Sequence, residues 1–392
     1  MSKQSRQELV LVVAPRYQSA KGSDQEHMLD EFVASTGYHR KYAITLLNHP
    51  KKAEQSRRHR HRSVHYSPLV QRALITCWHA TNGICSKRLV PYLPELISVL
   101  ERCGELCLDA QTRKGLLALS PATADRLLRT ERERHRPHGL STTKPGTLLK
   151  HAIPVRTFAD WDDAVPGFVE VDLVAHCGES THGEYLNSLT MTDISTTWTE
   201  CFALRNRSQQ TVSQAIRQAR TRLPFALLGL DSDNGTEFIN NHLFNYCQQE
   251  HITFTRSRPY KKNDQAHVEQ KNWSIVRQAV GYDRYEGEGA CEALAALYEV
   301  VRLYTNFFQP SMKLLSKERL GSKVKKTYDD AKTPYQRVLA SPQVSEEVKD
   351  ALRKLYLTLN PVALLRQIQH CQACLWKQAK VRFTNEATIP PK

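Results

Sequence analysis

The chain has 392 residues, and its 55 Lys and Arg against 40 Asp and Glu give a net charge of +15. That length predicts two to four domains, and the basic excess predicts a polyanionic partner, for which DNA is the first candidate. A polar N-terminus, ten scattered cysteines and the lack of any run of eighteen apolar residues exclude a secreted disulfide framework and a membrane span, so we expect a cytoplasmic protein with reduced thiols.

The first predicted elements are two short helices separated by a glycine turn. Residues 29–33 and 43–47 carry apolar side chains at helical spacing on either side of a break at Thr36-Gly37. A helix-turn-helix would place the second helix in the major groove, where it presents Arg40 and Lys41, whereas an ordinary helical hairpin is the alternative. A basic strap follows and would grip the DNA backbone through Arg57, Arg58, Arg60 and Arg62. We predict a DNA-binding module over residues 1–64.

A second helical DNA-binding module, with a linker, is predicted over residues 65–150. Its expected core positions are Leu69, Leu74, Ile75, Leu89, Leu96 and Leu100. Ser120-Pro121 is a helix-start signal, because the hydroxyl caps free amides and proline fits the first turn. The helix that it opens would expose Arg126 to DNA, although plain packing is the alternative. The charged stretch 131–146 lacks periodicity and is predicted to be the linker.

Residues 160–285 have the pattern of an α/β domain. Strands are predicted over 167–176, 185–193 and 197–204 as a meander, then over 225–230 and, at an edge, over 251–256. Helices are predicted over 207–222, 238–250 and 265–280. The pattern therefore brings strand ends and a helix together in one domain.

Three acidic residues occupy positions in this domain where metal ions could be held. Asp172 lies in the first strand, Asp233 follows the fourth strand in Asp-Asn-Gly, and Glu269 lies on the last helix after a 35-residue interval. Three such carboxylates can hold two Mg²⁺ ions about 3.5–4 Å apart, which suits phosphodiester chemistry. Asp231 competes with Asp233 as the second ligand, and the Asn-Gly that follows favours Asp233, with glycine expected to adopt a positive φ there.

The charge distribution agrees with bound cations in this domain. Residues 161–281 contain 11 basic and 14 acidic residues, whereas residues 1–160 contain 26 and 14. An acidic centre between basic flanks is expected in a DNA-binding protein if cations neutralise its carboxylates.

Several neighbours of the three acids are also candidates. A basic loop with Arg258, Lys261 and Lys262 is predicted to be mobile and to grip DNA near the reacting phosphate. On the helix of Glu269, Arg277 is a predicted DNA contact and Trp273 a core residue. Asp193 and Glu237 are predicted to be structural or exposed to solvent.

The segment from about 160 to 285 resembles the catalytic core of retroviral integrases and of the related DDE transposases of bacterial insertion sequences. Aspartate in a first apolar strand, Asp-Asn-Gly before a helix, and glutamate after 35 residues carry the resemblance. It implies a ribonuclease-H-like α/β core with a five-stranded mixed sheet, in which Asp172, Asp233 and Glu269 are the catalytic, metal-binding triad. Many relatives have Asn-Gly shortly before the glutamate; here Asn263-Asp264-Gln265 takes that place and leaves the subgroup open.

The resemblance also implies cofactors and partners. We expect two Mg²⁺ ions, which Mn²⁺ could replace, double-stranded DNA at element ends and at the target, and a homo-oligomer of at least two copies. The expected activity is nicking by hydrolysis, followed by joining of the 3′ hydroxyl to target DNA. A catalytically silent integrase-fold DNA-binding protein and a ribonuclease-H-like nuclease are the alternatives. When bound to DNA, the protein would associate with the bacterial nucleoid.

The C-terminal region, residues 286–392, is predicted to be mainly helical. Apolar periodicity indicates helices over 290–308, 345–357 and 361–377. The basic stretch 313–326 is predicted to face DNA or solvent. Assembly is the role that we expect for this region, since joining two element ends requires more than one protomer.

Overall fold

The computed structural model describes residues 2–50, 66–134, 165–233, 235–257, 265–320 and 323–380. The chain divides into two compact units, residues 1–65 and residues 66–392. None of the helices within these described ranges is long and apolar enough to cross a lipid bilayer.

Three helices form the first unit: α1 (Lys3–Ser19), α2 (Ser23–Thr36) and α3 (Arg40–Asn48). The two predicted helices, α2 and α3, are confirmed. Helix α2 ends at Gly37, which adopts a left-handed φ of 70° and donates its N–H to the Val33 carbonyl oxygen at 2.9 Å. The sequence analysis did not predict α1, whose buried residues Val10, Ala14 and Tyr17 recur at helical spacing and close the core.

The second unit begins with five helices: α4 (Pro68–Ala80), α5 (Ser86–Arg102), α6 (Ala110–Leu117), α7 (Pro121–Leu127) and α8 (Arg129–Arg134). The predicted cap at α7 is confirmed, since the Ser120 hydroxyl accepts the Thr123 N–H at 3.2 Å. Most of the predicted core is confirmed as well. Leu69 is the exception, because its side chain is 55% exposed on the outer face of α4.

A five-stranded mixed sheet lies at the centre of the second unit. Its strands are β1 (Phe168–Ala175), β2 (Asn187–Asp193), β3 (Thr199–Leu204), β4 (Gly229–Ser232) and β5 (Thr253–Arg256). The order is β3-β2-β1-β4-β5, in which the first three strands are antiparallel neighbours and β4 and β5 run parallel to β1. This arrangement confirms the expected meander and the ribonuclease-H-like core. Strand β4 begins four residues later than predicted, because residues 225–228 precede the pairing with β1.

The sheet is covered by helices on both faces. Odd-numbered residues of β1, such as Val169 and Val171, pack in one core with α9 (Gln209–Arg222) and α10 (Asn241–Gln249). The even-numbered face meets a helix that runs from α11 (Ala266–Lys271) through a π-helical segment (Asn272–Arg277) to α12 (Gln278–Val280). We call these three consecutive segments the Glu269 helix. The alternation along β1 therefore sends its acidic residues toward the Glu269 helix.

The chain after the sheet packs into the same unit. Helices α13 (Gly287–Phe308), α14 (Pro334–Ala340), α15 (Glu346–Thr358) and α16 (Pro361–Trp376) follow in order. One hydrophobic cluster joins these helices to the sheet and to Val99 of α5. The Tyr356 hydroxyl also donates to Glu95 of α5. A shared core thus contains residues from 66–134, from the sheet and from the C-terminal helices. The predicted domain boundaries at residues 150, 160 and 285 stay predictions.

A hairpin of two strands interrupts the C-terminal helices. Strands β6 (Leu314–Leu320) and β7 (Lys323–Tyr328) pair antiparallel within the basic stretch that had been predicted only as a DNA or solvent face. The three longer helices of this region begin and end close to the predicted residues.

Candidate active site

The pairing of β1 with β4 brings Asp172 and Asp233 together. Val171 pairs with Ser232 in the parallel ladder, so the residues that follow them, Asp172 and Asp233, lie next to each other on the same face of the sheet. Neighbouring strands are about 4.8 Å apart, which puts the two carboxylates within reach of one ion. Both side chains are half-buried. Asp172 lies within β1 rather than at its end, but at the point where the pairing with β4 stops.

The Glu269 helix is held against these two strands by polar contacts. Glu170, two residues before Asp172 on the same face of β1, accepts the backbone N–H groups of His267 at 3.0 Å and Val268 at 2.9 Å. Gln265, the residue before the helix, points its side-chain amide at the Val171 and Asp231 carbonyl oxygens, at 3.5 and 3.4 Å. The start of the helix that carries Glu269 is therefore attached to both strands that carry the aspartates.

A third contact joins the helix directly to an aspartate. The side-chain amide of Asn272 donates to Asp172 Oδ2 at 2.7 Å, while Oδ1 of the same carboxylate accepts the Leu173 N–H at 2.8 Å. Asn272 opens the π-helical segment, and such segments often occur at functional sites because the extra residue re-aims the side chains around it. Glu269 lies one turn earlier, and its side chain is exposed.

The charges of Asp233 and Glu269 both act on the carboxylate of Asp172. Burial and the charge of Asp233 raise the pKa of Asp172 to about 7, and the charge of Glu269 adds to this rise, against the opposing effect of the hydrogen bonds from Leu173 and Asn272. Both other acids thus lie near enough to act on Asp172. Carboxylates whose pKa is raised by burial and by neighbouring charges are frequent at functional sites.

Asp233 has a further carboxylate beside it. Burial raises the pKa of Asp233, the charge of Glu237 raises it further, and a hydrogen bond from the Gly235 N–H at 2.8 Å lowers it. A Cβ atom at Gly235 would lie 2.7 Å from Glu237 Cδ and 2.9 Å from Asp233 Oδ1. The φ of Gly235 is not positive, so the expected conformational role was wrong. A side chain at this position would displace the carboxylate ends of Glu237 and Asp233.

Two other aspartates are structural. Asp231 is fully buried within β4, where its carboxylate accepts the Thr255 hydroxyl at 2.6 Å. Asp193 is fully buried at the end of β2 and accepts the Gly167 N–H, the Thr196 N–H and the Thr196 hydroxyl. Burial raises the pKa of Asp193 to about 6. Asp193 is therefore structural, as predicted.

The donor set suits Mg²⁺, although the side chains are not yet gathered around an ion. Among the described residues, no group of three His, Cys, Asp or Glu is placed to hold a metal as it stands. Asp172, Asp233 and Glu269 nonetheless offer hard carboxylate oxygens, and their mutual repulsion is the kind that a divalent cation relieves.

The predicted DNA contacts fall into two groups. Arg40 at the start of α3 pairs with Asp30 and is exposed, Lys41 is exposed, and Arg126 is exposed on α7. The other predicted contacts lie in two basic segments outside the described residues, and they are Arg57, Arg58, Arg60, Arg62, Arg258, Lys261 and Lys262. Arg40, Lys41 and Arg126 thus present their charge to solvent on two helices, α3 and α7.

The second half of the Glu269 helix differs from expectation at one residue. Trp273 is 61% exposed, so its prediction as a core residue was wrong. Arg277 is half-buried; its guanidinium stacks over the Tyr282 ring at 4.7 Å and donates to the Gly281 and Ala175 carbonyl oxygens, each at 3.3 Å.

Glu170, Gln265 and Asn272 are parts of the site that were not predicted from the sequence. A signal for Glu170 was present, because a glutamate two residues before Asp172 in an apolar strand must share its face. Gln265 and Asn272 carry no such local signal, since their roles depend on how the helix packs across two strands.

Comparisons with known proteins agree with this architecture. Residues 162–262 match the integrase core domain family. The uncharacterized protein y4rM of Sinorhizobium fredii is 45% identical over 337 residues, which cover 86% of this chain and 96% of y4rM.

Solved structures with some likeness include two retroviral integrase domains. The catalytic core domain of BIV integrase is 18% identical, with a TM-score of 0.30, and the match covers 48% of this chain and 98% of that one. The catalytic core domain of HTLV-2 integrase in complex with magnesium is 14% identical, with a TM-score of 0.29 and coverage of 38% and 93%.

Proposed function

The chain belongs to the same family as y4rM and carries the integrase core domain of an integrase-like DDE transposase, and from that premise we propose that it is a Mg²⁺-dependent enzyme that nicks element ends and joins them to target DNA. Membership makes it a polynucleotidyl transferase of the transposase and integrase type. We propose in addition which metal it uses, which residues bind that metal and which residues contact DNA.

The observation that carries the proposal is that Asp172 and Asp233 lie side by side where the pairing of β1 with β4 stops, with the start of the helix of Glu269 attached to both strands. Asp233 is adjacent through the ladder of β1 and β4, and the charges of Asp233 and Glu269 both raise the pKa of Asp172. A protein that only bound DNA would have no use for clustered carboxylates, because they repel the phosphate backbone.

Each residue has a role in this proposal. Asp172 and Asp233 would hold one Mg²⁺, and Asp172 and Glu269 the other. Bound Mg²⁺ would supply an activated water or 3′ hydroxyl and would stabilise the departing 3′ oxygen. Asn272 fixes the carboxylate of Asp172 from one side, and Gln265 holds the helix start between the two strands. Because water and a 3′ hydroxyl are alternative nucleophiles for the same in-line displacement, one site serves nicking and joining.

We also propose the partners. The first unit would bind double-stranded DNA through α3, where Arg40 and Lys41 are exposed next to a three-residue turn of helix-turn-helix length. Arg126 on α7 would add a contact to the backbone. Two element ends require at least a dimer on DNA, and the bound enzyme would then be associated with the nucleoid.

The products distinguish this proposal from its alternatives. Purified protein is incubated with Mg²⁺ or Mn²⁺ and labelled DNA that carries the sequences flanking its gene. Joined strands are the expected result. Cleaved strands without joining would identify a nuclease, and bound but uncut DNA would identify a silent DNA-binding protein. Asp172→Ala should remove any product that the wild type makes.

Binding of Mg²⁺ is expected to strengthen with pH through about 7. Asp172 must lose its proton to bind the ion, and its pKa is raised to about 7. Below that pH, one competing proton weakens the apparent affinity about tenfold per pH unit. Calorimetric titration of the wild type at pH 6 and pH 8 measures the difference. Asp172→Asn should abolish this pH dependence, and an affinity that is equal at both pH values in the wild type would contradict the assignment.

A further inference from the structure

A deep cleft opens beside the second half of the Glu269 helix. It has a volume of about 1210 Å³ and lies between the end of α4, the Glu269 helix with the turn that follows it, and α16. Two of its walls are joined directly, since Gln372 of α16 donates to the Ala279 carbonyl oxygen, and the end of α4 is held by the Tyr304 hydroxyl of α13, which donates to the Ala80 carbonyl oxygen. The volume exceeds the roughly 300–1,000 Å³ usual for small-molecule pockets.

Aromatic rings and cations line this cleft. The rings are those of Trp78, Trp273 and Tyr282, and the cations are Arg277 and Arg366. Trp273 offers the open ring, because Trp78 is 5% exposed and the Arg277 guanidinium lies over Tyr282. Glu105 is the one carboxylate among its described lining residues; it accepts from Asn360 at 2.9 Å and lies 3.8 Å from Arg366. In the described part of the chain, Arg277 has no carboxylate within ion-pair distance and donates to carbonyl oxygens. Stacking surfaces together with guanidinium groups suit nucleotides.

Trp273 ties the cleft to the proposed chemistry. It follows Glu269 by four residues, about one helical turn, and its 61% exposure leaves a large aromatic surface in water. An exposed indole ring beside guanidinium groups offers a face on which a nucleobase can stack. A strand whose reacting phosphate lies at Glu269 would pass Trp273 within a few nucleotides.

We propose that this cleft binds unpaired nucleotides of the DNA strand next to the reacting phosphate, with Trp273 stacking on a base and Arg277 and Arg366 facing the phosphates. This inference rests on the proposed function, because it takes the strand's position from Glu269. The ligand class is single-stranded DNA of a few nucleotides, contiguous with a duplex.

The test compares Trp273→Ala with Trp376→Ala in the full-length chain. Trp376 lies on α16, is 43% exposed and does not line the cleft, so its replacement removes a similar ring from the same unit. Affinity is measured without divalent metal for a duplex and for the same duplex with a four-nucleotide single-stranded end that carries 2-aminopurine. Trp273→Ala should weaken binding of the tailed DNA about tenfold and leave the duplex within twofold. Trp273→Phe should restore most of the affinity and of the 2-aminopurine quenching.

Three results would overturn the inference. Equal affinities for tailed DNA in the two alanine variants would exclude stacking by Trp273. An equal loss for duplex and tailed DNA would exclude a role for unpaired bases. A change of oligomeric state in Trp273→Ala without DNA, measured by sedimentation, would make the cleft a protein interface. These affinity measurements need no catalysis, so they can be interpreted even if the wild type does not nick DNA. If Trp273→Ala nicks DNA normally and binds tailed DNA as the wild type does, the role of the cleft is rejected and the proposed function stands.

Discussion

Replacing Asp233 by asparagine is expected to lower the rates of nicking and joining by at least a thousandfold while DNA remains bound. Asp233 would contribute a metal ligand beside Asp172, and asparagine keeps the shape but loses the charge. Loss of a metal ion's several kcal/mol of transition-state stabilisation corresponds to roughly a thousandfold in rate or more. Binding should stay equal or become tighter, since one fewer negative charge faces the phosphates.

The control for this variant is Glu288→Gln. Glu288 lies at the start of α13 and pairs on the surface with Arg205, which follows the edge strand β3, so its loss removes one negative charge two strands away from β1. Rates of product formation are compared at saturating DNA, with affinities measured separately without metal. If Asp233→Asn kept catalysis within tenfold of the wild type while Glu288→Gln behaved normally, the assignment of Asp233 would be wrong. Asp231→Asn cannot serve as the control, because that aspartate is a buried partner of Thr255.

The sequence predicted the sheet well because its signals are local. The strands β1 to β3 have apolar, alternating residues and short turns, and Asp-Asn-Gly marks the end of β4. The start of β4 was placed too early, since residues 225–228 are as apolar as a strand but lie before the pairing with β1. The hairpin of β6 and β7 was missed because its basic residues obscure any strand pattern.

The candidate site could be predicted only in part for a similar reason. The spacing of Asp172, Asp233 and Glu269 is a property of the sequence, but what holds them together is not. The Gln265 side chain donates to the carbonyl oxygens of Val171 and Asp231, which are 94 and 34 residues away along the chain and lie on two different strands. The exposure of Trp273 likewise depends on which face of the Glu269 helix the sheet covers, and periodicity was blurred there by the π-helical segment.

Replacing Glu170 by alanine is expected to reduce catalysis about a hundredfold, although Glu170 binds neither metal nor DNA in this proposal. Its carboxylate accepts the first free N–H groups of the helix that carries Glu269. Without it, these amides lose their partner at a cost of roughly 1–3 kcal/mol each, and the helix start would detach from β1. A displacement of about 1 Å at a reacting group can cost a hundredfold in rate. Glu170→Gln, which keeps an acceptor oxygen, should stay within about tenfold.

Glu200 supplies the matched control for this positioning role. It is also a fully buried glutamate of the same sheet, but its carboxylate pairs with Arg302 of α13, away from the Glu269 helix. Glu200→Ala should therefore destabilise the fold and leave the rate per folded molecule near that of the wild type. Hydrogen exchange separates the two cases, because only Glu170→Ala should expose the amides of residues 267 and 268. The contrary result would be that both variants lower the melting temperature and that neither changes the catalytic rate at temperatures well below it. Glu170 would then have only a structural role, and the attachment of the helix to β1 would not control the chemistry.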